Sequence, residues 1–210
     1  MKKHIFPLVM IFLTIILWVL FYPQLSEQLP THWGPNGKAN DYSPKLGAML
    51  LSIGLMVLVY FITVFIPKMD PKKENYPRFT KSYHIINISL MIVAFAINII
   101  IILSGLGFDL DTGIYINLIL GALFIVIGNY LPQVKPNYFM GIKTPWALND
   151  ETNWKKTHRF GGKTFVISGI IFMCSIFLPK TIADSFLFPI VLIIILLPIG
   201  YSYWLFRKNV

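Results

Sequence analysis

The sequence predicts an all-α membrane protein. Six transmembrane helices are expected, with both termini cytoplasmic and a short amphipathic interfacial helix between the fourth and fifth spans. Three observations predict this. Apolar types make up 56% of the 210 residues and charged types only 13%, about half the share usual in a soluble domain. Six long apolar runs approach or exceed the roughly 18 residues that a spanning helix needs. Lysine and arginine then alternate from one connecting segment to the next, as they do where basic loops stay on the cytoplasmic side.

The runs are Ile5–Tyr22, Leu46–Pro67, His84–Ser104, Gly113–Leu131, Thr164–Pro179 and Ser185–Phe206. The basic segments are the N-terminus (Lys2, Lys3), the second loop (Lys68, Lys72, Lys73, Arg78, Lys81), the fourth loop (Lys135, Lys143, Lys155, Lys156, Arg159, Lys163) and the C-terminus (Arg207, Lys208). The intervening segments hold only Lys38, Lys45 and Lys180. The first run has a basic start but is too long for the apolar core of a signal peptide. Pro23-Gln24-Leu25 follows it rather than a small-residue cleavage site, so it reads as a retained helix. The chain reads as one integral membrane domain over residues 1–210.

Pro23 ends the first helix, because it cannot continue the hydrogen-bond ladder. The outer loop that follows, "THWGPNGKANDY", is more specific than polar filler. Gly34-Pro35 and Asn36-Gly37 are turn signals. Trp33 suits a membrane interface. Pro44 suits the first turn of the second helix. The loop reads either as a folded cap with an aromatic belt or as a surface that recognises an external molecule. A hydrolytic site on His32 and Asp41 lacks an evident nucleophile and second acid. The residues of interest are His32, Trp33, Asn36, Gly37, Asp41, Tyr42 and Lys45.

Within the spans, glycines recur at seven-residue spacing as Gly47/Gly54, Gly121/Gly128 and Gly162/Gly169. Small residues let helix backbones approach closely in lipid. Asn87, Asn98, Asn117 and Asn129 are expected to turn inward and bond across helices. Cys174 has no partner for a disulfide within the chain and is expected to be a small buried residue. No span carries Asp, Glu, Lys or Arg, which argues against an ion-coupled transporter.

In the fourth loop, Asn149 or Asp150 is a helix N-cap. Acids in the first turn and Lys155, Lys156 and Arg159 in the last complement the helix dipole, and Gly161 is a natural stop. Residues 150–160 therefore read as a short amphipathic helix lying on the membrane, with Trp154 buried and its lysines near lipid phosphate. Trp154 and His158 share one face at i and i+4. Binding of a cytoplasmic protein, and chemistry at His158 with Arg159, are the other readings.

No metalloprotease, paired-cysteine, phosphate-loop or nucleophile-elbow motif is present. His4, His32, His84 and His158 are far apart in the chain, so no metal site is expected, nor any cofactor or catalytic residue. The net charge of +9 suits anionic lipid at the inner leaflet. Without a basic helix or aromatic RNA-binding motif it gives no reason to expect direct nucleic-acid binding.

"LPTHWGPNGKANDYSPK" (29–45) and "GNYLPQVKPNYFMGIKTPWALNDETNWKKTHRFGGK" (128–163) together resemble the SdpI family of bacterial membrane immunity proteins. The matching positions are Gly128, Asn129, Asn137, Gly141, Thr144, Pro145, Trp146, Leu148, Trp154, His158, Arg159 and Gly162. Lys143 stands where the family often has Arg, and Ala147 where it often has Thr. The resemblance implies a multi-pass protein of the bacterial cell membrane that gives immunity to a secreted antimicrobial peptide toxin. It also implies a toxin receptor that sequesters a small cytoplasmic autorepressor and so signals its own expression. On that basis the outer-loop residues above would meet the toxin. Asn137, Gly141, Lys143, Thr144, Pro145, Trp146, Trp154, His158 and Arg159 would meet the repressor or membrane lipid. The alternatives are a membrane enzyme acting on lipid or peptide, and a peptide or lipid transporter.

Overall fold

A computed structural model describes residues 2–34 and 38–208. Asn36 and Gly37 lie outside the described residues. Among the described residues six segments are long and apolar enough to cross a membrane: His4–Gln24, Lys45–Met69, Lys73–Gly105, Thr112–Gln133, Glu151–Phe177 and Leu187–Lys208. The chain divides into two compact units, one of Met1–Ile62 with Ile88–Ile119 and one of Thr63–Asn87 with Leu120–Val210.

In the first unit, helix α1 (Lys2–Phe21) gives way to a 3-10 turn, Tyr22–Gln24, with Pro23 inside it. Two antiparallel strands follow, β1 (Gln28–Trp33) and β2 (Ala39–Pro44). They correct the all-α expectation, since the outer loop is a β-hairpin. Pairing runs from Gln28 opposite Pro44 to Trp33 opposite Ala39, with irregularities on either side of His32. The Gly34 amide donates to the Lys38 carbonyl at 2.9 Å across the end of the ladder. Thr, Trp and Tyr favour this pleated, half-buried setting.

The hairpin stands on an apolar cluster of Trp18, Leu25, Leu29, Ala48, Ile101 and Ile102. The last three belong to α2 (Lys45–Met69) and α3 (Thr80–Gly105). Trp33 packs against this cluster, so part of its ring serves the interior of the unit. Gly105 permits the fit, because a Cβ there would meet the Leu25 and Leu29 side chains. Asn98 does turn inward and bonds across helices, accepting from the Trp18 indole at 2.7 Å.

In the second unit, α4 (Thr112–Tyr130) contributes residues 120–130. A 3-10 turn (Leu131–Gln133) and an irregular segment lead to the short helix α5 (Pro145–Asn149). Helices α6 (Glu151–Cys174) and α7 (Lys180–Lys208) complete it. The expected stop at Gly161 does not occur. The interfacial helix and the fifth span are one continuous helix, capped by Asp150, whose side chain accepts from the Thr152 amide at 2.8 Å. Glycine here serves packing, not termination. A Cβ on Gly162 would lie 2.7 Å from the Gly128 carbonyl oxygen, and one on Gly169 would lie 2.6 Å from that of Gly121. The two glycine pairs therefore seat α4 against α6.

The expected pair Gly47/Gly54 makes no such contact. Nothing lies within 4 Å of a Cβ on Gly54, and a Cβ on Gly47 meets only the Ser43 Cβ at 3.9 Å. Asn87 bonds across helices, accepting from Thr63 at 3.0 Å. Asn129, by contrast, is exposed and donates within its own helix to the Ile125 carbonyl. Cys174 is exposed rather than buried, because the residues that α6 buries near its end, Ser168, Gly169 and Phe172, lie on another face.

Candidate functional site

The hairpin carries one group of candidate residues. His32, Asp41 and Tyr42 are exposed, and Tyr42 keeps 55% of its surface accessible. His32 Nδ1 bonds the Asn40 side chain, and Asp41 accepts from the Tyr42 amide at 2.9 Å. His32 and Asp41 are opposite one another in the ladder, yet their side chains take different partners, so the pairing does not make an acid–base couple. Lys45 is held at the base, 2.8 Å from Glu27 and over the Tyr22 ring. It braces the hairpin where it joins α2.

The second group builds a cap at one end of the second unit. Asn137 is fully buried. Its amide nitrogen donates to the Lys135 and Met140 carbonyls, and its oxygen accepts from the Phe139 and Met140 amides. One side chain thus satisfies the polar backbone of a reversal that has no ladder of its own. Gly141 follows with φ +111°, a conformation that favours glycine, and a Cβ there would run into His158 Nε2.

That contact exists because His158 holds the loop. Nε2 accepts from the Ile142 amide at 3.1 Å, and Nδ1 lies 2.9 Å from the Trp154 carbonyl. The first bond needs a bare Nε2 and the second a proton on Nδ1, so the bonds select the neutral Nδ1–H tautomer. The ring is fully buried and stacks on Trp154 at 4.0 Å between centroids. Trp154 in turn donates to the Val134 carbonyl at 2.8 Å. The expected placement of Trp154 in the membrane surface is thereby corrected: it is buried within the protein. Both nitrogens of His158 are spent on structure, which removes the chemical motive for pairing it with the exposed Arg159.

A polar chain closes the cap against α7. Asn153 donates to the Ser202 carbonyl at 2.9 Å and accepts from the Ser202 and Thr157 hydroxyls. With the Ser202 proton so used, Thr144 donates to Ser202 Oγ at 2.6 Å while accepting from the Ala147 amide. Thr144 is thus both the N-cap of α5 and a link to α7, and Pro145 fills the first helical position, where its missing N–H costs nothing. Trp146 packs on Tyr203 and Phe206 of α7. Lys143 stays exposed and donates to the Phe139 carbonyl at 3.1 Å.

Several members of the cap were not singled out in the sequence. Asp70 is 1% exposed and accepts from the Lys72 and Tyr138 amides and the Tyr76 hydroxyl. Asn75 adds a bond to the Pro136 carbonyl at 2.9 Å. The signal for Asp70 was a lone acid amid lysines just past a helix end; that for Ser202 was a hydroxyl in an apolar span. Among the described residues no group of three or more His, Cys, Asp or Glu is placed to hold a metal ion.

Residues 133–202, which contain the cap, match the SdpI/YfhL protein family, and residues 9–57, which contain the hairpin, match a domain of unknown function (DUF1648). Over 208 residues the chain is 28% identical to the Immunity protein SdpI of Bacillus subtilis (strain 168), covering 99% of this chain and 98% of that one. No solved structure matches it. With six segments of spanning length and composition among the described residues, the chain is a multi-pass membrane protein. Most of the motif positions that carried the resemblance prove to be the parts that hold the cap together. The exposed ones are Pro145 and Arg159, with Asn129 at the end of α4.

Proposed function

We propose that the chain is a membrane immunity protein that protects its cell against a secreted antimicrobial peptide toxin. The observation that carries this reading is the 28% identity to an immunity protein over 99% of the chain, so the likeness takes in both the hairpin and the cap. The hairpin is the element that meets the peptide. His32, Asp41 and Tyr42 offer an aromatic ring and polar groups on a braced support, and binding to a braced surface loses little conformational freedom. Trp33 and Lys45 belong to the same element as its supports. The charge alternation supports a hairpin outside and a cap inside.

The same reading extends to signalling. The toxin-occupied protein holds a small cytoplasmic autorepressor at the exposed part of the cap, where Tyr138 and Phe139 flank Lys143. The buried residues Asn137, Thr144, Trp154 and His158, with the half-buried Gly141, act by shaping that surface.

The deciding experiment is protection of a toxin-sensitive Gram-positive host that lacks its own immunity gene. Cells expressing the chain survive a sporulation-delaying-type peptide, and a combined His32→Ala, Asp41→Ala and Tyr42→Ala variant, inserted at the same level, does not protect. Killing of wild-type expressers at full membrane insertion overturns the immunity reading. Full protection by the triple variant overturns the assignment to the hairpin.

A further inference from the structure

α6 buries one face in the cap and shows a second. Lys155, Arg159 and Lys163 are exposed on it at four-residue spacing, about 6 Å apart along the axis. The same face continues into Val166 and Ile167. Together with Gly128, Asn129 and Pro132 these side chains line a cleft of about 730 Å³. Beside it is the Gly128–Gly162 contact, where a Cβ on either glycine would meet the other's carbonyl oxygen, with Val166 and Pro132 packed close by. Among the described residues Lys155 pairs loosely with Glu151, 3.8 Å away with both groups well exposed.

The cleft is cationic at one end and apolar along the rest, and it lies on a segment of spanning length. A soluble anion would use only the first part. A phospholipid uses both. We propose that this cleft binds an anionic phospholipid, with its phosphate held by Lys155, Arg159 and Lys163 and an acyl chain laid on Val166 and Ile167. Arg159 supplies the planar fork that matches two phosphate oxygens, while the two lysines act as point charges. The site does not depend on the immunity reading, only on the chain lying in a membrane.

The test is native mass spectrometry of the full chain in detergent, titrated with phosphatidylglycerol or phosphatidylcholine. Phosphatidylglycerol binds more tightly. Lys155→Gln, Arg159→Gln and Lys163→Gln together weaken it about a hundredfold, roughly fivefold for each cation near the headgroup. The control Lys68→Gln, Lys73→Gln and Lys81→Gln removes the same formal charge from exposed positions and leaves the affinity unchanged. Ile167→Gln weakens the lipid but leaves the binding of glycerol 3-phosphate alone unaltered. Equal affinity for the two lipids, or an equal loss in the control, overturns the proposal. Displacement of the lipid by glycerol 3-phosphate mole for mole overturns it in favour of a soluble phosphate site.

Discussion

At Gly141 a single hydrogen atom in place of a side chain decides whether the cap closes. Gly107 and Gly141 both hold positive φ, but nothing lies within 4 Å of a Cβ on Gly107, whereas one on Gly141 meets the His158 ring. Gly107→Ala therefore costs backbone strain alone, about 1 kcal/mol, while Gly141→Ala adds the collision and costs more than about 2 kcal/mol. Unfolding of the two variants in detergent, followed by tryptophan fluorescence, gives this order; equal losses would mean that the ring moves away freely. Trp154→Phe keeps the aromatic stack on His158 but leaves the Val134 carbonyl without its donor, a cost of about 1–3 kcal/mol for a buried unsatisfied group. If these residues serve the cap and not chemistry, both variants lose function only in step with folded protein. Stably folded Trp154→Phe without protection would give the indole a direct role. The motif positions were legible in the sequence, but their partners were not, since Val134, Ile142 and Ser202 carry no signal of the bonds they receive.

At the scale of elements, α4 and α6 are fitted by glycine against glycine, and this is the packing the seven-residue spacing foretold. Gly128→Ala and Gly169→Ala place a methyl group 2.6–2.9 Å from backbone atoms of the facing helix, and such overpacking costs about 1–3 kcal/mol. Gly54→Ala meets nothing and gains helix propensity of up to about 1 kcal/mol. Thermal unfolding in one detergent ranks the three, and a fall in stability for Gly54→Ala comparable to the others would show that the spacing matters on α2 as well. The six spans were readable because length and apolarity are local properties. The hairpin and the continuous α6 were not, and for related reasons. A strand forms in 28–33 because Leu29 and Trp33 find the Trp18 cluster, and Gly161 stays helical because Ile142 and Leu131 crowd it. In both places contacts from distant parts of the chain outweigh a local preference that points elsewhere.

For the whole molecule, the immunity reading requires the hairpin and the cap to face opposite sides of the membrane, and the charge pattern predicts which. Lys68, Lys72, Lys73, Arg78 and Lys81 crowd one short segment, and Lys135, Lys143, Lys155, Lys156, Arg159 and Lys163 another, while the hairpin segment has only Lys38 and Lys45. Retention of Lys- and Arg-rich loops in the cytoplasm predicts a hairpin outside. The chain's one cysteine makes this testable. Cys174 is exposed on a helix of spanning length, so Cys174→Ala gives a thiol-free background without opening a cavity. In that background Lys38→Cys, beside the hairpin, is labelled by a membrane-impermeant maleimide in intact cells. Lys156→Cys, on the exposed face of α6, is labelled only after permeabilisation. The reverse pattern would turn the protein over, present the cap to the toxin and leave the hairpin to the cytoplasm, and the protection assay would then have to be repeated on Tyr138, Phe139 and Lys143. Labelling of both sites in intact cells would contradict an arrangement with these two segments on opposite sides, and with it the step by which a toxin bound outside is reported within.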